Sequence, residues 1–200
     1  MAKLYFNYGP MGSSKSSLLL MTAHSFEERG IPFLCLKPSI DTRDGDGVIA
    51  SRLGIRRECV GLVPTDDVFS LISKYNEVST DGYLYQPLKW ILVDECQFLA
   101  AHQVDELGDV VDRLGINVLC YGLRTDFQTN LFEGSKRLME IADDIEELKI
   151  SCSCGRKAVF NARVDAEGYV IVDGDQVVIG GDDMYTPLCR DCYNKRIGKY

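Results

Sequence analysis

Two hundred residues, 46% of them hydrophobic and 26% charged, make a chain that can bury one principal core and a small satellite. No apolar run approaches the roughly 20 residues that cross a bilayer, and the first residues lack the basic segment, apolar stretch and cleavage site of a secretory leader, so a cytoplasmic protein is expected. A formal net charge of −8 opposes a main role in gripping a nucleic-acid backbone, which needs clustered Lys and Arg, and directs attention to small molecules.

Taken in chain order, Lys3–Tyr8 is an apolar run that predicts a strand, and it leads into GPMGSSKS at Gly9–Ser16. That segment, Gly9, Pro10, Met11, Gly12, Ser13, Ser14, Lys15 and Ser16, nearly spells the phosphate loop G-x-x-x-x-G-K-[ST], with Ser14 at the second glycine. Glycines allow backbone N–H groups to wrap a phosphate; Lys15 suits the β and γ phosphates and Ser16 suits magnesium. If position 14 needs a positive φ, a residue other than glycine costs on the order of 1 kcal/mol there. Lys15–Arg29 predicts a helix stopped by Gly30, with Leu18, Leu19 and Met21 on its buried side and its N-terminus aimed at the anion.

Pro32–Lys37 reads as the next strand. Asp41–Arg57 shows no clear period and reads as a functional or mobile loop. Asp66–Lys74 predicts a helix with an acidic start, Lys89–Asp94 a buried strand, Val104–Leu114 a helix ended by Gly115, and Asn117–Gly122 a further strand. The alternation predicts an α/β fold of the P-loop (RecA-like) kind over residues 1–148: a mostly parallel sheet with helices on both faces. A carboxylate at the carboxyl end of a strand beside a phosphate loop suits magnesium, which is the role expected of Asp94, and Glu95 is the candidate base. The plainer alternative is an acidic pair that merely ends a strand in solvent.

Residues 149–200 differ in character. Lys157–Val164 and Tyr169–Val172 are β-like, with a turn at Glu167-Gly168 between them. Cys152-x-Cys154 and Cys189-x-x-Cys192 could close a tetrahedral structural zinc site in a small zinc-ribbon-like β domain; the alternative is four free thiols in a reducing cell. A helicase would need a second motor lobe, for which there is no room, and a switch GTPase would need an Asn-Lys-x-Asp motif, which is missing. A small-molecule kinase is left as the better class.

In order, GPMGSSKS, DTR at Asp41–Arg43, VDECQF at Val93–Phe98, YGLRTDFQ at Tyr121–Gln128, the paired cysteines and VVIGGDDMY at Val177–Tyr185 resemble the small tetrameric (type II) thymidine kinases, with the CxCGRKA segment closest to their enterobacterial branch. The resemblance spans about residues 3 to 193. It implies transfer of the ATP γ-phosphate, with magnesium, to the 5′-hydroxyl of thymidine and of deoxyuridine, in nucleoside salvage. It further implies a homotetramer, and no nucleic-acid or membrane partner.

Residue by residue, the resemblance gives ATP and its magnesium to the Gly9–Ser16 loop and the Asp94, Glu95, Cys96 and Gln97 segment. Glu95 matches the family's catalytic base, and Arg43, with Asp41, the DxR pair near the reacting groups. Met11, Leu123, Phe98, Phe127 and Asn161 match positions around the thymine base, Asn161 standing where many relatives carry threonine. Gln176, Val177, Val178, Ile179, Gly180 and Tyr185 match a lasso loop that folds over the nucleoside and is anchored by zinc. Two other readings are a nucleotide-binding regulatory module in which Ser14 has weakened catalysis, and a zinc-ribbon nucleic-acid binder, which the acidic balance opposes.

Overall fold

The computed structural model describes residues 1–41, 45, 47–77, 87–165, 167–174, 176 and 184–199. Arg43, Val177, Val178, Ile179 and Gly180 lie outside the described residues.

The first strand β1 (Leu4–Tyr8) delivers the chain to the Gly9–Ser16 loop, from which helix α1 (Lys15–Glu28) starts; β2 (Phe33–Pro38) follows. Three short strands come next, β3 (Val48–Ala50), β4 (Arg56–Glu58) and β5 (Val60–Leu62), then α2 (Val68–Asn76) and β6 (Trp90–Val93). A 3-10 turn at Cys96–Phe98 leads to α3 (Ala101–Asp109), which continues as a π-helical turn at Val110–Leu114 before β7 (Asn117–Gly122), α4 (Glu133–Ile141) and β8 (Asp144–Glu147). The chain then forms β9 (Phe160–Arg163), β10 (Tyr185–Leu188) and α5 (Arg190–Arg196).

Six strands form one sheet in the order β5-β2-β6-β7-β1-β8, and every neighbouring pair is parallel. Alternating residues feed two different cores. Cys35, Leu92 and Tyr121 meet Leu19, Leu20 and Ala23 of α1 on one face. Leu36, Ile91, Val93 and Cys120 meet Val68 and Ile72 of α2, Val104 and Leu107 of α3 and Leu138 of α4 on the other. Strands covered on both sides read as continuous apolar runs, as WILV does. The expected mostly parallel α/β sheet with helices on both faces is therefore present, and the carboxyl ends of β1, β2, β6 and β7 open on one rim. A third cluster, around Cys152, Phe160, Ala162, Leu188, Cys189 and Tyr193, belongs to the C-terminal segment, whose two strands pair antiparallel.

Several expectations are corrected. Met21 is 57% exposed, and the buried stripe of α1 is Leu19, Leu20 and Ala23 with Lys15. The helix expected from Val104 begins three residues earlier, at Ala101, where the Gln103 side chain accepts the Ala100 N–H. The Asp41–Arg57 stretch contains the antiparallel β3–β4 hairpin. Tyr169–Val172 forms no strand: it touches Val164 through a single bridge at Val170, and the partner of β9 is β10, from the segment read as loop.

Candidate active site

The rim at the carboxyl ends of the strands holds a cavity of about 660 Å³. Such a crevice is where open α/β sheets take ligands. Its floor is the phosphate loop. Gly9 leaves β1 with its N–H on the Gly122 carbonyl, 3.2 Å away. A Cβ at Gly9 would lie 2.6 Å from the Leu148 carbonyl oxygen, so only glycine fits this exit. Gly12 and Ser14 both adopt left-handed conformations, at φ 78° and 62°. The first intrahelical bond of α1 runs from Leu18 N–H to the Ser14 carbonyl, so the amides of Ser16 and Ser17 have no acceptor within the helix. Lys15 is 92% buried, its Nζ donating to the carbonyls of Gly9 and Pro10 at 3.0 and 2.9 Å. The result is an anion cradle: a helix N-terminus, first-turn amides and a held ammonium.

Beside the cradle, β6 ends at Asp94, which is 3% exposed. The Ser16 hydroxyl and the Glu95 N–H bond to its carboxylate, yet Oδ1 is buried without a hydrogen-bond partner. Burial first, then the neighbouring Glu95 charge, pushes its pKa up, which makes the site favourable for a cation or a proton. Glu95 stands at φ 50° and ψ 36°, a conformation that costs a residue with a side chain of order 1–3 kcal/mol and collects at functional sites. The turn swings its carboxylate into the cavity. There Gln97 Nε2 donates to Glu95 Oε2, while Gln97 Oε1 accepts the Leu123 N–H at 2.9 Å. Gln97, 1% exposed, thus fixes Glu95 against the end of β7.

The far wall is aromatic. Phe98 meets Phe132 edge to face, ring centroids 5.6 Å apart, and Phe127 lies below the Arg163 guanidinium at 5.4 Å. Leu123, Asn161, Gln176 and Tyr185 also border the cavity, together with Met11 from the loop. Gln176 Nε2 donates to Asp126 Oδ2 at 2.9 Å. Asp41 forms a buried ion pair with Lys37 at 3.0 Å, and Lys37 also donates to the Val48 carbonyl of the hairpin.

Of the residues expected from sequence, Met11, Gly12, Ser14, Lys15, Ser16, Asp41, Asp94, Glu95, Gln97, Phe98, Leu123, Phe127, Asn161, Gln176 and Tyr185 come together around this one cavity. Gly9 and Pro10 lie behind the loop, with Ser13 beneath it, and Cys96 points away into the core, where its thiol meets Cys120. Sequence reasoning missed Lys37, Arg52, Leu53, Thr125, Asp126 and Phe132. Hairpin position and loop crossing put them here, and neither leaves a local pattern.

In the C-terminal segment the Sγ atoms of Cys152, Cys154, Cys189 and Cys192 all lie within 4.8 Å of one another, with Cys154 and Cys189 at 3.6 Å. Tetrahedral zinc with ~2.3 Å bonds needs sulfurs about 3.8 Å apart, so the set fits. The Cys192 N–H at 3.5 Å from Cys189 Sγ holds that thiol below its usual range, while bonds to Cys154, Cys189 and Cys152 push the Cys192 thiol up to about 12. Thiols this close perturb one another, and a cation held among them relieves that crowding.

Comparison with known proteins adds the decisive observation. The family model described as "Thymidine kinase" matches residues 2–193. The chain belongs to the thymidine kinase family. A thymidine kinase of Rhodopirellula baltica is 49% identical over 190 residues, covering 95% of this chain and 87% of its own. Those of Pasteurella multocida and Vibrio cholerae are 47% and 45% identical, each covering at least 98% of both chains. A crystal structure of Pif1 helicase from Candida albicans aligns with 74% of this chain and 36% of its own at a TM-score of 0.43 and 16% identity, too weak a likeness to carry argument. Family membership makes this chain an enzyme, and the cavity is its candidate active site.

Proposed function

We propose that the protein transfers the γ-phosphate of ATP to the 5′-hydroxyl of thymidine, and of deoxyuridine, giving the nucleoside monophosphate and ADP for deoxynucleotide salvage. The observation that carries this reading is the placement of Glu95 in one cavity between a phosphate cradle and an aromatic wall. The Gly9–Ser16 loop binds the triphosphate. Ser16 and Asp94 would hold magnesium, the orphaned Asp94 Oδ1 being the atom that lacks a partner; such an ion would supply positive charge against the charge developing on the triphosphate. Phe98, Phe127 and Phe132 take the flat base, with Met11, Leu123, Gln176 and Tyr185 around it. Glu95, oriented by Gln97, accepts the proton of the 5′-hydroxyl as its oxygen attacks phosphorus, while Lys15 and Arg43 offset the developing charge.

Residues 1–148 carry this chemistry in the proposed division, and residues 149–200 form a unit clamped by zinc, for which zinc content should approach one equivalent per chain. Cytoplasmic placement and a homotetramer complete the reading, and among the described residues no helix is long and apolar enough to cross a membrane. Glu95→Gln tests the base. It should bind thymidine with unchanged affinity in titration calorimetry while kcat falls at least about 100-fold, the usual worth of a positioned base. Turnover within a few fold of normal would remove Glu95 from that role.

A further inference from the structure

Asn161 borders the cavity, and its amide joins the phosphate loop to the chain beyond β7. It is 4% exposed on β9. Its Oδ1 accepts the Met11 N–H at 2.7 Å, across 150 positions of sequence, and its Nδ2 donates to the Thr125 carbonyl at 3.3 Å. An N–H partner on one side and a carbonyl on the other permit only this orientation of the amide.

Gly9 N–H is held by β7, Pro10 has no N–H, and Ser13 N–H closes back on the Pro10 carbonyl at 3.2 Å. Within the peptide plane entering Met11, Ser13 N–H and Lys15 Nζ hold the Pro10 carbonyl and Asn161 holds the Met11 N–H, so Asn161 fixes the donor side of the plane that leads the chain into Gly12, with its φ of 78°. The tether is itself stiff. Asn161 faces Pro187 across the β9–β10 pair, and its neighbour Phe160 packs on Tyr193 at 4.9 Å. Tyr193 directly follows Cys192 and donates to the Phe127 carbonyl at 3.3 Å. The cysteine clamp is therefore joined to the phosphate loop through the backbone of β9, with Phe160 on one face and Asn161 on the other, and to the Thr125–Phe127 turn through Tyr193.

We propose that Asn161 is a positioning residue that sets the phosphate loop from the C-terminal unit, so that the cysteine-clamped segment governs the affinity for ATP as well as the nucleoside side of the cavity. The proposal rests on the ATP-binding reading. Removing the Asn161 amide leaves Met11 N–H unheld and lets the loop populate arrangements that do not match the triphosphate. ATP affinity falls as a result, while the Thr125–Phe127 turn, which loses one bond at the Thr125 carbonyl, keeps those from Gln176 to Asp126 and from Tyr193 to Phe127.

The test uses the full zinc-loaded chain. Asn161→Ala should raise KM for magnesium-ATP about tenfold, with kcat at saturating ATP and KM for thymidine each within about threefold of wild type. Hydrogen exchange at Met11 in the ligand-free protein should accelerate at least tenfold. Asn161→Asp keeps an acceptor for Met11 N–H and should restore slow exchange there. A rise in thymidine KM with ATP KM unchanged would assign Asn161 to the base and overturn the proposal. So would a Met11 amide that exchanges in the wild type as fast as an open loop, a measurement that holds even if a variant fails to fold. Wild-type protein that binds no magnesium-ATP would defeat the functional reading while leaving the Met11 exchange result to judge the tether.

Discussion

Ser14 occupies the glycine position of the phosphate loop with φ 62°, and as N-cap of α1 it makes no side-chain hydrogen bond to the helix. It therefore incurs the left-handed penalty of ~1–2 kcal/mol without a cap bond in return. Glycine relieves that penalty but loses more freedom on folding, about 0.5–1 kcal/mol. Ser14→Gly should thus raise stability by a net 0.5–1 kcal/mol, roughly, in urea unfolding, and lower KM for ATP; a loss of stability would show that the serine is held by something other than its backbone. Asp94 gives a test by pH. Its folded pKa lies above its unfolded value, so its contribution to stability is fully present below the unfolded pKa and is lost as pH rises through the folded pKa of about 7. Ligand-free protein should lose stability between about pH 4 and pH 7 relative to Asp94→Asn, which removes the titration. Identical pH profiles for the two proteins would contradict the raised pKa. At this scale Lys15, Ser16, Asp94 and Glu95 were legible because the chemistry sits on adjacent residues. The support of Glu95 by Gln97 and of Asp41 by Lys37 was not, because each depends on which way a strand end turns.

The sheet's central strands were legible as elements because burial on both faces writes continuous apolar runs. Its edges were not. The edge strand β8 reads DIEE, with charge where an exposed edge protects itself, and β5 has only three residues. Helix α4 was missed for another reason: two of its buried positions are Gly134 and Ser135, too small to register as an apolar period. Gly134 is small because α4 lies against the turn that carries Glu95 and Phe98. A Cβ there would stand 2.5 Å from the Cys96 carbonyl oxygen and 2.8 Å from that of Leu99, both backbone atoms with little room to give. Gly134→Ala should therefore cost roughly 1–3 kcal/mol, the range for overpacking, and should lower kcat by displacing Glu95. A calorimetric melt with turnover on the same sample checks it, and an undisturbed melting temperature would mean that α4 can slide. The β9–β10 pairing was hidden by the length of chain between the two strands, which local alternation cannot span.

Across the whole molecule, the parallel sheet brings the phosphate loop and the Asp94-Glu95 turn to one rim, and the C-terminal unit closes that rim through Asn161, Gln176 and Tyr193. The paired cysteines announced the cluster of four thiols, and the order of motifs announced the family. What neither announced is the Asn161–Met11 hydrogen bond that joins the C-terminal unit to the loop, since a contact 150 residues apart leaves no mark on local sequence. On the proposed reading, a cradle for phosphate, a carboxylate beside it and an aromatic slot predict one outcome when both substrates are present. Purified protein incubated with magnesium-ATP and thymidine should form thymidine monophosphate and ADP in equal amounts. ATP that binds but yields no thymidine monophosphate, or is hydrolysed at the same rate without the nucleoside, would contradict it.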